Sequence, residues 1–335
     1  MKIKCVQSLI DRLRGKKTLK IYPPYYNERI ALKPDFPDIY NADGRKMEMF
    51  FLRDRHFSHD PYGTFPTYFM WDRFNYGLDT HFYTGKAARE TMGTPKRQFA
   101  WLLEPRVKQP QDYEQFEKSK TLAKEFNFVL THDERLLDTL DNAFFFPGCA
   151  CSWVRETDPD IWQKKTGMTS ILSSRKKMCP LHYLRIAIAE KCKREGLADT
   201  FGTFDGGKPV SMAETLQPYR YSIALENQVS DWFYTERLIS AFITMTVPIY
   251  IGARKVGEGF NADGIIQITP EDGEHIETVL KQCSEQDYLS RLPAMRENYQ
   301  KALSYMNQND LLYECLFVAP EKRKLFTGFE KVFNP

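Results

Sequence analysis

The chain has 335 residues, of which 42% are hydrophobic and 14% aromatic, so it holds enough apolar side chains for packed globular layers and is not a disordered chain. Its 47 Lys and Arg side chains nearly balance 44 Asp and Glu side chains, and the formal net charge of +3 excludes a global field that would attract nucleic acid. Seven irregularly spaced cysteines and the lack of an Asn-x-Ser/Thr site suit a reducing, cytoplasmic compartment.

The N-terminus carries charges where a signal peptide would need an apolar run, and no segment approaches the ~18 apolar residues that span a bilayer. We therefore expect no transmembrane segment. Leu9, Ile10 and Leu13 lie among basic residues, and this stretch has two interpretations. It is either a helix packed on the domain, which we favour, or a basic amphipathic element in weak peripheral contact with a membrane surface.

Continuous apolar runs in the first half predict buried strands of a sheet. These runs are 46–54, 80–85, 97–103, 126–132 and 142–148, with helical patterns at 112–126 and 133–141 between the last three. An aromatic-rich stretch, 56–77, is expected to mix core side chains with side chains that stack on sugar rings. Its aromatic members are Tyr62, Phe65, Tyr68, Phe69, Trp71, Phe74 and Tyr76.

A polar, charged segment after Trp153 predicts a linker, and a second alternation of strands and helices follows it. The predicted strands are 168–174, 219–227, 247–252 and 264–268, the predicted helices are 181–195 and 235–245, and 287–317 is helical in pattern. We therefore predict an α/β protein with two Rossmann-like doubly wound domains that face a central cleft. A ligand crevice is expected between them, at the carboxyl ends of the strands.

The stretch 219–252, YRYSIALENQVSDWFYTERLISAFITMTVPIYIG, reads as strand, helix and strand with charged residues at the junctions. Glu236 and Arg237 fall in the first turn of the helix, where backbone N–H groups favour an anion and an arginine fork suits phosphate. Glu236 would accept from the paired hydroxyls of a ribose. The alternative is that Glu236 only complements the helix dipole and Arg237 is solvated. Glu226 and Asn227, at the same sheet edge, favour a site.

This stretch resembles the donor-binding signature of the family 10 α-1,3/4-fucosyltransferases: an apolar strand, Glu-Asn, a loop, Tyr-x-Thr-Glu-Lys, and Val-Pro-x-x-x-Gly. A weaker likeness runs through 170–202, where Arg185 matches the family's donor-phosphate arginine. Before residue 165 only FAWLLEP, 99–105, is similar to a family strand that ends in a glutamate near the acceptor. The resemblance covers about half the chain.

The resemblance implies a GT-B glycosyltransferase that moves fucose or a related deoxy sugar from a GDP-sugar to a glycan hydroxyl, with inversion and without a metal or other cofactor. Residues 1–160 would form the acceptor domain and residues 161–335 the donor domain, with the last helix packing back on the first. Glu104 would be the general base. The implied donor-binding residues are Arg185, Glu226, Asn227, Tyr234, Thr235, Glu236 and Arg237, among which Glu236 holds the ribose, the two arginines hold the diphosphate, and Tyr234 and Asn227 shape the pocket.

Several alternatives stay open at this point. The family usually has lysine where this chain has Arg237. Arginine keeps the positive charge, but its side chain extends to a different distance. Glu104 is either a base or a strand-end carboxylate paired with Arg106. The run Asp158–Asp160 is similar to a metal-binding Asp-x-Asp motif, although a linker turn is favoured. The protein could also use another nucleotide-sugar, or be a non-catalytic glycan- or nucleotide-binding relative. No acceptor-binding residue is assigned.

Overall fold

Two parallel sheets, one in each half of the chain, form the framework of the molecule. A computed structural model describes residues 38–54, 65–119 and 121–318. The first sheet has six strands and the second has five, all neighbouring strands run parallel, and helices cover the faces. The predicted α/β architecture with two doubly wound sheets is confirmed.

The first sheet has the strand order β2-β1-β3-β4-β5-β6. Five of its strands coincide with the predicted apolar runs, because strands buried on both faces are apolar throughout. The predicted helix over 112–126 is divided into a helix and a separate 3₁₀ turn, Ala123–Glu125. The elements are β1 Glu48–Arg53, β2 Phe69–Asp72, β3 Thr80–Thr84, β4 Arg97–Trp101, α1 Pro110–Lys118, β5 Phe128–Thr131, α2 Glu134–Thr139 and β6 Ala143–Phe145.

The strand β2 was not predicted, because it lies inside the aromatic-rich stretch 56–77. Its Phe69 is fully buried and stacks on Phe50 with 4.7 Å between ring centroids. Trp71 packs edge-on against Phe82 at 5.1 Å. Phe65, by contrast, is 73% exposed, and residues 55–64 of this stretch lie outside the described residues. The stretch therefore contributes mainly an edge strand and core rings.

The second sheet has the strand order β11-β10-β9-β7-β8. The predicted helix over 181–195 ends at Gly196, whose φ of 64° is in the left-handed region that glycine tolerates. Two elements not predicted, β8 and α4, occur in a polar stretch. The elements are β7 Gly167–Ser173, α3 Pro180–Glu195, β8 Asp199–Gly202, α4 Met212–Leu216, β9 Tyr219–Ser230, α5 Glu236–Ile243, β10 Val247–Ala253, α6 Val256–Gly259, β11 Ile266–Gln267, α7 Pro270–Glu274 and α8 Ile276–Leu280.

Both sheets share one strand order, 2-1-3-4-5 counted from the first strand of each, with a sixth strand added to the first sheet. In such sheets the order reverses between the first and third strands, and ligands bind outside the carboxyl ends at that switch point. The switch points are β1/β3 in the first sheet and β7/β9 in the second.

The helices after the second sheet return the chain to the first. The helix α9, Glu285–Leu303, packs on the second sheet, where Tyr288 Oη donates to the Met245 carbonyl at 2.8 Å. The helix α10, Gln308–Tyr313, lies against the first sheet, where Asp310 accepts from Thr67 Oγ1 at 2.6 Å and Tyr313 Oη donates to Glu48 at 2.6 Å.

The segment between β6 and β7 contains only a short 3₁₀ turn, Ile161–Lys164. Asp158 accepts from the Asp160 N–H at 2.9 Å and pairs with Lys164 at 2.8 Å. This is the favoured turn rather than a metal site. The basic N-terminal element falls outside the described residues. Within 38–54, 65–119 and 121–318, no helix has the length and apolar character needed to cross a membrane.

A buried lysine ties together the amino ends of the strands in the second sheet. Lys165 Nζ donates to the carbonyls of Leu216, Gln217 and Tyr219 at 3.2, 3.3 and 2.6 Å. It also donates to Thr246 Oγ1 at 2.8 Å. Burial lowers the pKa of Lys165 well below its ordinary value, so these four acceptors supply the polar contacts that water would otherwise give.

We predict that Lys165→Met destabilises the protein by about 3 kcal/mol or more, because it leaves buried carbonyl groups without a donor. The adjacent Lys164→Met is the matched control, since Lys164 is exposed and its pair with Asp158 is a surface ion pair. Urea unfolding of both variants measures the effect. Equal midpoints for the two variants would contradict this account of Lys165.

Candidate functional site

The start of α5 is fixed by a buried carboxylate at the carboxyl end of β9. Glu226 accepts from the Thr235 backbone N–H at 2.8 Å and from Thr235 Oγ1 at 2.7 Å. Thr235 is the N-cap, and its hydroxyl accepts from the Arg237 N–H at 3.4 Å. The backbone of Glu236 and Arg237, the two charged residues of the first turn, is therefore held in a fixed position. Glu226 was predicted to bind the donor, but both of its oxygens are used by this cap.

The environment of Glu226 is costly for a charge. Its side chain is fully buried. Burial, and then the neighbouring Glu236, raises the pKa of Glu226 to about 7, while Arg237 and the hydrogen bonds from Thr235 oppose that rise. Gly252, the glycine of the Val-Pro-x-x-x-Gly pattern, leaves the space that the Glu226 side chain fills, because a Cβ there would overlap Glu226 Cγ and Tyr250 Oη.

Arg185 projects from α3 to the same strand end and is 3% exposed. Its Nη2 donates to the carbonyls of Leu225 at 2.7 Å and Glu226 at 3.1 Å, and to Asn227 Oδ1 at 3.3 Å. Its Nε is buried and has no hydrogen-bond partner among the described residues. Burial, and then the nearby Arg237, lowers the pKa of Arg185 to about 9. A bound anion would relieve both effects.

His182 is a site residue that sequence reasoning missed. Its Nδ1 accepts from the Met178 N–H at 3.1 Å, so its Nε2 carries the proton that is donated to Asn227 Oδ1 at 2.9 Å. Burial, and then Arg185 and Arg237, lowers the pKa of His182 and keeps it neutral. Asn227 Oδ1 is thus held from two sides, which turns the amide nitrogen of Asn227 outward. The available signal was the three-residue spacing from His182 to Arg185 on one helix.

The two charged side chains of the first turn of α5 lack partners of their own. Glu236 is 8% exposed, and Arg237 is half-buried. Over the described part of the chain, no hydrogen bond or ion pair joins either side chain to another group. A carboxylate and a guanidinium that have no protein partner and lie together at a sheet edge are available to a ligand that supplies donors to one and acceptors to the other.

Tyr234 was predicted to shape the nucleotide pocket, yet it is part of the core. It is 6% exposed. Its hydroxyl is 2.9 Å from Tyr305 Oη, and its ring meets Phe260 edge-on at 5.7 Å. Any effect of Tyr234 on the pocket is therefore through the position of the chain next to Thr235.

Glu104, the predicted base, follows β4 at the carboxyl edge of the first sheet and is half-buried. Its Oε2 accepts from Lys108 Nζ at 2.6 Å, and its carbonyl accepts from Tyr113 Oη. The expected alternative, an ion pair with Arg106, is wrong. Arg106 instead pairs with Asp133 at 2.7 Å, because that carboxylate caps α2 within reach of the guanidinium.

A recess of about 30 Å³ opens beside Glu104 at the switch point of the first sheet. That volume is enough for one water-sized group, such as a hydroxyl. The recess is lined by Asp54, Thr84, Gly85, Leu103, Glu104, Gln109 and Asp112.

The carboxyl edges of the two sheets face each other. The Val107 N–H, three residues beyond Glu104, donates to Gln228 Oε1 at 3.0 Å, just beyond Asn227. Burial, and then the carboxylates of Glu104 and Glu236, raises the pKa of the Cys149 thiol well above its ordinary value. Both carboxylates are therefore within electrostatic reach of one thiol. The Glu104 side of the first sheet and the start of α5 therefore lie near each other.

The cleft offers fixed cations and a helix terminus for an anion, a free carboxylate for hydroxyl donors, and a second carboxylate on the opposite side. Such a set can bind a nucleoside diphosphate and accept a proton. Among the residues that the structure describes, no group of three or more His, Cys, Asp or Glu side chains could hold a metal ion.

Neither a protein-family model nor a curated protein matches the chain. Solved structures do match. Anabaena Alr3699/HepE in complex with UDP-glucose is similar with a TM-score of 0.51 at 9% sequence identity, over 84% of this chain and 100% of that chain. The protein has the GT-B fold. Other GT-B structures are less similar: an α1,3-fucosyltransferase with GDP has a TM-score of 0.48 at 13% identity over 85% of this chain and 94% of that chain, and TarM has 0.46 at 13% over 75% and 54%.

We predict that the contribution of Glu226 to the stability of the folded protein falls as pH rises from about 4.5 to about 7. The folded state raises the pKa of Glu226 and so binds its proton more tightly than the unfolded chain does. The full loss is on the order of 3 kcal/mol. Glu226→Gln cannot ionise and should lack this component of the pH dependence.

Urea unfolding between pH 5 and pH 8 measures the difference in slope. Glu190→Gln, on the exposed side of α3, is the control that should keep the wild-type slope. A Glu226→Gln variant whose stability depends on pH in the same way as that of the wild type would show that Glu226 is ionised throughout.

Proposed function

We propose that this protein is an inverting, metal-independent glycosyltransferase. It transfers fucose or a related deoxy sugar from a GDP-sugar to a hydroxyl group of a glycan. The GT-B fold supports a glycosyltransferase, and the resemblance of 219–252 to the family 10 fucosyltransferases supports the GDP-sugar.

One observation carries the proposal. The start of α5 is locked in place, yet Glu236, Arg237 and the buried Nε of Arg185 have no protein partner among the described residues. A nucleoside diphosphate supplies the missing partners. Its ribose diol donates to Glu236, and its phosphate oxygens accept from the two arginines and from the backbone N–H groups of the first turn.

The transfer step needs charge stabilisation on one side of the cleft and proton transfer on the other. As the acceptor oxygen bonds to the anomeric carbon from the face opposite the diphosphate, the bond from that carbon to the β-phosphate oxygen breaks and the configuration inverts. The electron pair leaves with the diphosphate, where Arg185 and Arg237 meet the growing charge. Those two arginines fill the role that a divalent cation plays in other sites.

The acceptor proton goes to Glu104. Its Oε2 is held by Lys108, while its Oε1 has no hydrogen bond within the described part of the chain, and Glu104 lines the recess. An acceptor hydroxyl seated in that recess can donate to Oε1. Tyr113 fixes the Glu104 backbone, so the base keeps its position during the transfer.

A second candidate keeps the fold and changes the donor. HepE was solved with UDP-glucose, and in the proposed complex Glu236 and the two arginines would contact ribose and phosphates rather than the base. A third candidate is a non-catalytic glycan- or nucleotide-binding protein. Arg237 and the buried Nε of Arg185, which have no partner among the described residues, favour an enzyme, because a binding protein has no leaving group to stabilise.

The first test is thermal and urea unfolding with GDP, UDP or ADP. At ~100 times its dissociation constant a ligand adds about 2.7 kcal/mol to the folded state. We expect GDP to stabilise the wild type, and Glu236→Gln to abolish that gain, because the amide gives one ribose hydroxyl a donor instead of an acceptor. Glu258→Gln, an exposed glutamate of α6, should respond like the wild type. Stabilisation by UDP alone would overturn the GDP-sugar assignment.

The second test separates enzyme from binder. The reaction measured is the release of GDP from a GDP-sugar in the presence of a glycan library. Glu104→Gln should lower its rate by about 10²- to 10⁴-fold, since the general base is lost. The stabilisation by GDP should be unchanged. Glu117→Gln, a carboxylate of the same region that pairs with Arg106, is the control. Full turnover in Glu104→Gln would remove Glu104 from the mechanism.

A further inference from the structure

A second, larger cavity lies on the first sheet's side of the cleft. Its volume is about 370 Å³, within the range of small-molecule pockets. It opens between the 3₁₀ turn Gly85–Arg89, which follows β3, and the helix α1. Its lining residues are Lys86, Arg89, Glu90, Gln111, Glu114, Gln115 and Lys118.

Helical geometry explains why α1 presents polar groups to this cavity. The lining residues of α1 fall at spacings of three, four and seven, so they share one face of the helix. The opposite face, with Tyr113 and Phe116, is buried in the core. Gln115 is itself buried, and its Nε2 donates to the Gly85 carbonyl at 2.8 Å, which joins the two walls.

The cavity carries an excess of positive charge. Glu90 pairs with Arg53 at 3.1 Å, and Glu114 pairs with Lys118 at 2.6 Å, so both of its carboxylates are neutralised. Lys86 and Arg89 form no ion pair with any residue that the structure describes.

The composition of the cavity lining limits the chemical classes of ligand that fit. No aromatic or aliphatic residue contributes to it, so a nucleotide base would find no ring to stack on and a lipid chain would find no aliphatic side chain to pack against. Two glutamines and two ion pairs instead offer donors and acceptors to hydroxyl groups. A ligand with many hydroxyls and one negative charge fits this lining.

The cavity adjoins the recess beside Glu104. Gly85 belongs to the turn that carries Lys86 and Arg89, and it also lines the recess. Asp112 of α1 lines the recess between two residues of the helix, Gln111 and Gln115, that line the cavity. An extended ligand can therefore reach both spaces.

We propose that this cavity binds an acidic sugar of the acceptor glycan. Lys86 and Arg89 hold its carboxylate, the glutamines of α1 hold its hydroxyls, and the neighbouring sugar places its hydroxyl beside Glu104. The acceptor is thus an anionic oligosaccharide. The assignment of the acceptor rests on the proposed function, whereas binding of the acidic sugar does not.

The test uses the whole protein and three probes: methyl glucuronide, its neutral counterpart methyl glucoside, and inorganic sulfate, all at matched ionic strength. Binding is followed by NMR titration or by the thermal midpoint. The doubly substituted Lys86→Gln/Arg89→Gln protein is compared with Lys96→Gln/Lys124→Gln, which removes two exposed charges from the opposite edge of the same sheet.

We expect methyl glucuronide to bind the wild type and the control protein with equal affinity. The Lys86→Gln/Arg89→Gln protein should bind it more weakly, by up to about tenfold for each lost contact. Its response to GDP should match that of the wild type. Equal binding of glucuronide and glucoside, unchanged glucuronide binding in the doubly substituted protein, or binding of sulfate alone would each overturn the proposal. Glucuronide binding that depends on Lys86 and Arg89 in a wild type indifferent to GDP would keep the sugar site and overturn the donor assignment.

Discussion

The site depends on one buried carboxylate. Glu226 accepts two hydrogen bonds from Thr235, so the end of β9 and the start of α5 cannot move independently. Arg185 grips the carbonyls of the same strand end from the other side. The first turn of α5 is therefore positioned before any ligand arrives, which lowers the ordering cost of binding. The cost instead falls on the stability of the folded protein. The buried carboxylate of Glu226 lies close to Glu236, and the buried guanidinium of Arg185 lies close to Arg237, so each charge is near a like charge.

The framework could be predicted from the sequence because parallel strands covered on both faces are continuously apolar. β10, Val247–Ala253, is such a strand, and all its residues are buried. The apolar pattern did not reveal strands that are not covered on both faces. β2 is an edge strand with an exposed Met70, and β8 is only half-buried, so both read as loops. The positions of Glu236 and Arg237 in the first turn of α5 were predictable because a helix start has a pattern that the sequence reveals.

The remaining site residues depend on distances between separate elements, which no local pattern contains. Lys108 was missed because the sequence offers two cations near Glu104, Arg106 and Lys108. In the structure Arg106 pairs with Asp133, and Lys108 pairs with Glu104. Lys165, which supports the sheet and is not a site residue, was missed for the same reason, because its acceptors are carbonyls of distant segments. Glu226 was expected in the ligand site and instead supports it, since only the folded structure shows that Thr235 takes both of its oxygens.

The chain passes between the two sheets at two places that lie side by side. Gln308 Nε2 donates to the Pro147 carbonyl at 3.0 Å, and Arg155 Nη1 donates to the Met306 carbonyl at 3.2 Å, so the outgoing and returning segments are bonded to each other. These bonds join the two crossings into one connection between the sheets. The Val107–Gln228 hydrogen bond adds a connection at the carboxyl edges of the sheets. A movement that separates those two edges would have to break it.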